Sequence, residues 1–262
     1  MTQESKVVLV TGGSRGIGRA LAEELNEKGH RIVITGRDRE QADKTANSLG
    51  GQVLAVSGDA SSPTDVRLAV DRALEHFGTI DVLVNNAGVS GRDIPLLEAD
   101  PDEWWRVQEI NLRGPMLFMR AVLPHMVERR AGTVINMGSY AAIRPFRGAS
   151  AYSASKIALA RMSDTVADEV REHGVNVFCV SPGLVLTDMT RDADVFDDLP
   201  ASAWSPIEKI RALVGDLVDR DCSALSGRFI HVNDDLEELL ADPDRIKAEH
   251  LYQLRLSTFR GI

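Results

Sequence analysis

Several features that mark other classes of protein are scarce or missing in this sequence. Only two cysteines occur, Cys179 and Cys222, and neither has the spacing of a metal site, so we predict no bound metal. No apolar stretch is long enough to span a bilayer, and the polar Met1–Lys6 carries no secretory signal. We therefore expect no membrane partner and a cytoplasmic, reducing compartment.

A surplus of basic residues is also missing. The formal net charge is −9, and residues of both signs are mixed along the chain. Because nucleic-acid-binding proteins carry a basic patch or stripe, this pattern argues against a nucleic-acid partner. What is present is an ordinary hydrophobic share of 44% in 262 residues, which suits one large domain with a real core.

Short β-branched runs alternate with longer segments in which apolar residues recur at helical spacing. The runs predict strands at Val7–Val10, Arg31–Thr35, Val53–Val56, Val82–Val84, Thr133–Asn136, Val175–Val180 and Phe229–Val232. The longer segments predict helices at Gly16–Glu27, Asp65–His76, Glu103–Val127, Tyr152–His173 and Pro206–Val218. Since the strands are apolar on both faces, we predict an α/β fold: a single doubly wound parallel sheet with helices on both faces.

A glycine-rich turn joins the first predicted strand to the first helix. Its sequence is Thr11-Gly12-Gly13-Ser14-Arg15-Gly16-Ile17-Gly18. Glycines at such a turn let the backbone approach a pyrophosphate, and the helix N-terminus supplies free N–H donors. The spacing is not G-x-G-x-x-G, and a turn that only helps packing is the alternative. Its place after the first strand of a βαβ pattern favours a dinucleotide site.

The second predicted strand ends in Gly36, Arg37 and Asp38. An acidic residue near this point of a dinucleotide-binding unit holds the ribose 2′-hydroxyl. Gly36 stands where we expect that acid, and the following Arg37 could fork onto a 2′-phosphate instead. Arg15 points to the same neighbourhood. The pair predicts NADP(H), with NAD(H) as the second choice; solvated surface arginines and a ribose contact from Asp38 stay open.

Two further predicted strands end in small and polar residues. The third ends in Gly58-Asp59-Ala60, which could line an adenine ring, and the fourth in Asn85-Asn86-Ala87-Gly88. Ligands of open α/β sheets bind outside the carboxyl ends of the strands. We therefore expect both strand ends to contribute to the cofactor site.

Tyr152 and Lys156 are the candidate acid–base pair. Residues four apart lie on one face of a helix, one turn apart, so the lysine charge would favour the tyrosinate form and fit Tyr152 for proton transfer. Ser139 follows the fifth strand, and its hydroxyl could bond the reacting oxygen. Asn111 lies inside a predicted helix, where asparagine has mediocre propensity. A water-binding role and a tolerated surface position are its two interpretations.

Taken in chain order, these motifs resemble those of the short-chain dehydrogenase/reductase family, and the resemblance covers residues 6–190. The resemblance is carried by Thr11–Gly18, Asp59, Asn85–Gly88, Asn111, Ser139, the Tyr-x-x-x-Lys of Tyr152–Lys156 and Ser181-Pro182-Gly183. It implies a Rossmann-fold oxidoreductase of the NADP-preferring branch. Such an enzyme moves a hydride between nicotinamide and a ketone or secondary alcohol.

The resemblance also implies a role for each site residue. Tyr152 donates or accepts the substrate proton, Ser139 holds the carbonyl oxygen, and Lys156 bonds the nicotinamide ribose. Asn111 helps to hold a water of the proton relay. The implied cofactor-binding residues are Gly12, Ser14, Arg15, Gly16, Ile17, Gly18, Arg37, Asp59, Ala60, Asn86, Ala87, Gly88, Tyr152, Lys156, Pro182, Gly183 and Thr187.

Two segments of the single domain 1–262 stand apart from this pattern. Asp188–Ser205 mixes acidic with apolar residues, and we predict a mobile lid over the substrate, with a plain surface excursion as the alternative. The tail 233–262 replaces the family's usual Val-Asp-Gly-Gly ending. It contains Asp242-Pro243, a helix start, and an alternating apolar pattern from Tyr252 to Leu256.

We predict that this tail packs across a neighbouring subunit of a homo-oligomer, a dimer or tetramer, because its exposed apolar residues would otherwise be sticky. Folding back on its own domain is the alternative. The long helices Glu103–Val127 and Tyr152–His173 are the expected pairing elements, since the family assembles through their counterparts.

Two other functions stay open from the sequence. A non-catalytic NADP-binding sensor would share the fold but has no need of a proton donor. A reductase of 3-oxoacyl thioesters on an acyl carrier would need a basic docking surface, of which Arg129-Arg130 could be a fragment. The fold cannot choose the substrate, because specificity depends on the loops Gly88–Asp100, Tyr140–Ser150 and Asp188–Ser205.

Overall fold

The computed structural model describes residues 4–191 and 199–255. Its strands are β1 Val7–Val10, β2 Arg31–Gly36, β3 Val53–Ser57, β4 Val82–Asn85, β5 Gly132–Met137, β6 Val175–Ser181 and β7 Phe229–His231. They form one sheet of 7 strands in the order β3-β2-β1-β4-β5-β6-β7, and every pairing is parallel. The predicted doubly wound parallel sheet is confirmed.

The α-helices of the described residues lie between and after these strands. They are α1 Gly16–Glu27, α2 Arg39–Leu49, α3 Pro63–Phe77, α4 Pro101–Gln108, α5 Gly114–Arg129, α6 Ser150–Val170, α7 Asp188–Arg191, α8 Ile207–Asp219, α9 Leu236–Ala241 and α10 Pro243–Ala248. Within this part of the chain, none of the helices is long and apolar enough to cross a membrane.

Each strand contributes to two cores because successive side chains point to opposite faces of the sheet. Val8 and Val10 join the cluster formed with α1, α2 and α8, whereas Val7 and Leu9 join the cluster under α3, α5 and α6. The strand residues of both clusters are buried, which explains why the strands are continuous apolar runs in the sequence. The helices cover the two faces of the sheet, and loops follow the strands at its carboxyl edge.

The structure differs from the sequence prediction at α2, which the pattern did not predict. Only Ala42 and Thr45 of this helix are buried, so its apolar stripe is too thin to register as a helical period. The helix starts at Asp38, whose side chain accepts a hydrogen bond from Gln41 N at 3.0 Å. A capping aspartate was therefore the available signal.

The long helix predicted over Glu103–Val127 is interrupted. It begins at Pro101, capped by Asp100, and widens into a π-helical turn at Glu109–Arg113 before α5 continues. Asn111 lies inside this turn and is fully buried. Single π turns are rare and often mark functional positions, because they displace a residue from the regular helical face.

Part of the tail packs against its own domain. Leu236, Leu239 and Ile246 are buried in the core of their own domain beside α1 and α8. Gln253 Nε2 donates to Asp164 Oδ1 at 2.6 Å, which anchors the tail on α6. These residues therefore follow the alternative that the sequence left open, in which the tail folds back on its own domain. Tyr252 is still exposed, and contact of the tail with a neighbouring subunit stays a prediction.

Details of the tail were predicted with mixed success. Asp242 accepts a hydrogen bond from Arg245 N at 3.2 Å, so the predicted helix start at Asp242-Pro243 is confirmed. The alternating pattern from Tyr252 does not form a strand: residues 251–253 turn, and Tyr252 has a φ of 58°. Phe229 N donates to Tyr252 O at 2.7 Å, and Leu256 lies outside the described residues.

Arg129 and Arg130 are exposed, and each also makes a bond within the domain. Arg129 bonds Asp81 and Thr79, while Arg130 donates to Glu172 O at 2.6 Å at the end of α5. Both guanidinium groups are thus used to join the amino edges of the sheet to neighbouring helices. Because both residues remain exposed, the suggestion that they belong to a carrier-docking patch stays a prediction.

Candidate active site

The glycine-rich loop lies against the carboxyl end of β4. A Cβ on Gly12, whose φ is 64°, would be 2.9 Å from Ala87 Cα, so only glycine permits this approach. Thr11 Oγ1 accepts hydrogen bonds from Asn86 N and Ala87 N at 3.0 Å each. Asn86 Nδ2 returns a bond to Thr11 O at 2.9 Å. The predicted residues Gly12, Asn86 and Ala87 therefore meet, with Thr11 as the brace that the site prediction left out.

The N-terminus of α1 differs from those of the next helices. Its cap, Arg15, makes no side-chain capping bond, and no acid occurs in its first turn. By contrast, α2, α3 and α4 are capped by Asp38, Ser62 and Asp100. The first N–H donors of α1 are therefore left for an anion, and the residues present fit a pyrophosphate.

The end of β2 has no room for an acid. A Cβ on Gly36 would lie 2.8 Å from Ser14 Oγ, so the glycine is needed for close packing against the loop. Asp38 is occupied as the cap of α2. Arg37 is exposed beside them. Of the residues at this strand end, Arg37 is the one left available to a ribose substituent.

Arg15 has a partner that the sequence did not predict. Its Nη1 lies 3.5 Å from Asp188 Oδ2 at the start of α7, with the two side chains 67% and 56% exposed. An exposed pair of this kind contributes little to stability. The structure thus engages Arg15 with α7, and a 2′-phosphate contact would require exchange of that partner.

Asp59 at the end of β3 is held by a network that the sequence reading missed. Its Oδ1 accepts from Ser61 N and Oγ, and its Oδ2 lies 2.7 Å from Arg106 Nη2 of α4. Burial by itself raises the pKa of Asp59, but the bonds from Ser61 and Arg106 outweigh it and lower the pKa to about 2. The carboxylate is therefore ionised and oriented at neutral pH.

The predicted acid–base pair lies together at the start of α6. Lys156 Nζ is 5.4 Å from the centroid of the Tyr152 ring. The same atom donates to Met137 O at 2.8 Å, and the lysine side chain is buried. This bond ties Lys156 to the end of β5, from which the chain reaches Ser139 two residues later.

Asn111 connects three parts of the site. Its Oδ1 accepts from Val89 N at 2.9 Å, and its Nδ2 donates to Val89 O at 2.8 Å and to Ser155 Oγ at 3.1 Å. A Cβ on Gly88 would lie 3.2 Å from Asn111 Oδ1 and 3.8 Å from Lys156 Nζ. The β4 loop, the π turn and α6 therefore converge, and the surface reading of Asn111 is wrong.

Ser139 and the residues after β6 complete the carboxyl edge. Ser139 caps a short turn at Tyr140–Ala142, and its Oγ accepts from Ala141 N at 3.2 Å. Thr187 lies over the glycine loop, since its Cγ2 is 3.7 Å from a Cβ built on Gly16. Ser205 N donates to Leu184 O at 2.8 Å, which closes the base of the predicted lid. Residues 192–198 of that lid lie outside the described residues.

The cysteines are chemically quiet. Burial raises the pKa of Cys179 to about 12 and the pKa of Cys222 to about 11. Both cysteines are buried and free. Neither thiol is suited to nucleophilic catalysis at neutral pH. Among residues 4–191 and 199–255, no grouping of three or more His, Cys, Asp or Glu could hold a metal ion.

Comparison with known proteins supports the class that this geometry suggests. The short chain dehydrogenase family model matches residues 6–197. The 3-oxoacyl-[acyl-carrier-protein] reductase of Salmonella typhimurium is 33% identical over 89% of this chain and 98% of its own. The sex determination protein tasselseed-2 of Zea mays is 42% identical over 72% of this chain and 58% of its own.

A solved structure shows the same fold. The 3-ketoacyl-(acyl-carrier-protein) reductase of Brucella melitensis, complexed with NADH, superposes with a TM-score of 0.82 at 28% identity. The match covers 87% of this chain and 97% of that one. Fold and site define an NAD(P)-dependent oxidoreductase. The chain belongs to the short-chain dehydrogenase family.

Proposed function

We propose that this oxidoreductase uses NADP(H) to interconvert a ketone and a secondary alcohol. The observation that carries the proposal is that Gly88 and Asn111 lie against Ser155 and Lys156 of α6, the helix that also bears Tyr152. Such a set has a purpose only where a proton must be moved. A sensor that merely binds the cofactor does not need it.

The chain's own residues divide the work of binding. The uncapped N-terminus of α1 and the loop Gly12–Gly18, with Ser14 and Ile17, receive the pyrophosphate. Asp59 and Ala60 flank the adenine, while Asn86, Ala87 and Gly88 line the middle of the site. Pro182, Gly183 and Thr187 border the nicotinamide, and Tyr152 and Lys156 close its ribose side. When bound, the cofactor supplies or accepts the hydride.

Proton transfer falls to Tyr152. In the direction of reduction its hydroxyl gives a proton to the carbonyl oxygen, which Ser139 Oγ holds by a hydrogen bond. The Lys156 charge stabilises the tyrosinate that remains. Asn111, buried and tied to the backbone of Val89, holds a water from which the proton is replaced. Oxidation of an alcohol reverses each step.

The preference for NADP(H) rests on the end of β2. Gly36 leaves no space for an acid, Asp38 caps α2, and Arg37 is exposed at the point where a 2′-phosphate would lie. Arg15 can add a second contact if it leaves Asp188. These features support a charge-assisted clamp on a 2′-phosphate.

A second candidate substrate class is favoured by the relatives. The Salmonella typhimurium protein is named as a reductase of 3-oxoacyl groups on an acyl carrier, and it matches this chain along 98% of its length. Arg129 and Arg130 make bonds within the domain but are exposed, so their part in docking a carrier stays a prediction. Against a carrier-bound substrate, the ending after β7 departs from the family pattern. A thioester substrate would place the same carbonyl at Tyr152, so the chemistry is shared.

The assembly is proposed to be a homo-oligomer formed through α5 and α6. Met116 on α5 and Ile157 on α6 are large apolar side chains exposed on those helices.

The location is proposed to be the cytoplasm. Two free, buried cysteines fit the reducing compartment expected from the sequence. The interpretation of Asp188–Ser205 as a mobile lid over the substrate stays a prediction.

A turnover assay tests the function directly. NADPH oxidation is followed with a panel of simple ketones and a 3-oxoacyl thioester, and NADP reduction with the corresponding alcohols. Turnover of at least one carbonyl, abolished in Tyr152→Phe, is the expected result. Cofactor binding without turnover of any member of the panel would favour the sensor.

A further inference from the structure

Helix α4 reaches the first turn of α6 through two side chains. Trp104 Nε1 donates to Ser150 Oγ at 3.1 Å, and Gln108 Nε2 donates to Ala151 O at 2.8 Å. Ser150 and Ala151 are the two residues directly before Tyr152. We call Trp104 with Gln108 the α4 clasp.

The clasp continues the line of residues that ends at Asn111. Trp104, Gln108 and Asn111 are spaced by four and then three residues, so they share one face of α4 and the π turn that follows it. Asn111 Nδ2 bonds Ser155 Oγ, which in turn donates to Tyr152 O at 2.7 Å. The turn that carries Tyr152 is therefore held by α4 before the tyrosine and by the π turn after it.

The start of α6 needs such support. Its cap position, Ala149, provides no side-chain hydrogen bond, whereas α2, α3 and α4 start with capping side chains. Helix ends without caps fray, and Tyr152 is only the third residue of α6. Gln108 is only 8% exposed, so its bond to Ala151 O is shielded from competing water.

We propose that Trp104 and Gln108 are positioning residues that hold the first turn of α6, and with it the Tyr152 hydroxyl, in place for proton transfer. The proposal rests on Tyr152 as the proton donor of the proposed function. It assigns α4 a part in the chemical step although none of its side chains touches the reacting atoms.

Position matters more to rate than to stability here. A neutral hydrogen bond contributes modestly to folding. A displacement of about 1 Å at a reacting group can lower a rate on the order of 10²-fold. Loss of a clasp bond is therefore expected to reduce kcat while cofactor binding and folding are nearly preserved.

Trp104→Phe is the first test, because it removes the indole N–H and keeps an aromatic ring. Trp105→Phe is its matched control: Trp105 stacks on Trp104 at 5.9 Å but is exposed on the outer side of α4. We expect kcat to fall about 10-fold or more in Trp104→Phe, with the cofactor KM changed less than about 2-fold. The control should match wild type in both constants.

A double-mutant cycle with Ser150→Ala isolates the bond. If Trp104 acts through Ser150, the double variant should lose no more activity than either single variant. Gln108→Met, which keeps the volume and removes the donor, should lower kcat independently. The pH profile of kcat should shift in these variants, a change that a purely structural defect does not produce.

The outcomes separate this proposal from the proposed function. Wild-type kcat in Trp104→Phe and Ser150→Ala, with Tyr152→Phe inactive, would overturn the clasp alone. Substantial activity in Tyr152→Phe would overturn the proposed proton donor itself. If Trp104→Phe folds poorly, Ser150→Ala removes the same bond from the α6 side, and its kcat decides the matter.

Discussion

The proton-transfer end and the adenosine end of the site differ in how much of their geometry exists before a ligand arrives. Around Tyr152, Asn111 is 0% exposed and Lys156 is 5% exposed, and both are bonded to backbone atoms. At the other end, Arg37 is exposed and Arg15 makes one solvent-exposed ion pair.

The difference follows from what each end must recognise. A transferred proton exerts no pull that could arrange distant side chains, so its donors and acceptors have to be preorganised. A phosphate carries charge and several acceptor oxygens, and it can draw flexible arginines into place by itself. Substitutions at the two ends should therefore have effects of different size and different salt dependence.

The largest effect is expected from Tyr152→Phe. Removing a general acid–base group lowers turnover by on the order of 10²–10⁴-fold, while the ring and its packing remain. Steady-state kinetics and NADPH binding by fluorescence should show lost kcat with retained affinity. Tyr252→Phe, on the tail and outside the site, is the control. Retention of more than about a tenth of activity would contradict the preorganised proton donor.

Arg37→Gln should have the next largest effect. A charge-assisted hydrogen bond contributes about 1.5–3 kcal/mol, so the preference for NADPH over NADH should fall about 10- to 150-fold. Arg39→Gln is a matched control, because Arg39 is exposed two residues away and pairs with Asp43 of its own helix. Equal kcat/KM for both cofactors in the wild-type protein would show that the adenosine end does not select.

Asp188→Asn tests the partner of Arg15 and should have a smaller effect. The exposed pair is stabilising by at most about 1 kcal/mol, so freeing Arg15 should raise NADPH affinity up to about 5-fold. The gain should disappear at high ionic strength, where exposed charges are screened. NADH, which has no 2′-phosphate, serves as the internal control. An equal gain for NADH would mean that Arg15 does not contact this group.

The smallest effect concerns acid stability through Asp59. Its pKa is lowered to about 2 in the fold, against about 3.9 in an unfolded chain. Its stabilisation is thus present above pH 4 and lost as the pH falls towards 2. Arg106→Gln should weaken this contribution by less than about 1 kcal/mol, because Arg106 is half exposed. Identical acid unfolding of variant and wild type would show that Ser61 alone orients the carboxylate.

The fold was predictable where local patterns carried the signal. All seven strands and five of the helices follow from apolar periodicity, since strand and helix periods involve neighbours in the chain. Helix α2 is not predicted from the sequence, because only two of its residues are buried and its apolar period is weak. The π turn at Glu109–Arg113 is not predicted from the sequence either, because the apolar pattern there is that of a continuous helix.

The tail shows a second limit of prediction from the sequence. Its apolar residues predict that the tail is covered, either by a neighbouring subunit or by its own domain. Sequence patterns give which residues must be buried and not which partner buries them. Leu236, Leu239 and Ile246 join the core cluster that contains α8 and also α1, which is more than two hundred positions away in the sequence.

The chemistry available to this protein can be inferred from residues that lie close together in the chain: the glycine loop, the four-residue spacing of Tyr152 and Lys156, and Gly36 in the place of an acid. Three contacts come only from the packing of the fold: Arg106 orients Asp59, Asp188 pairs with Arg15, and the α4 clasp bonds the residues before Tyr152. Such contacts join distant segments, and their approach is set by how helices and sheet pack rather than by any local period.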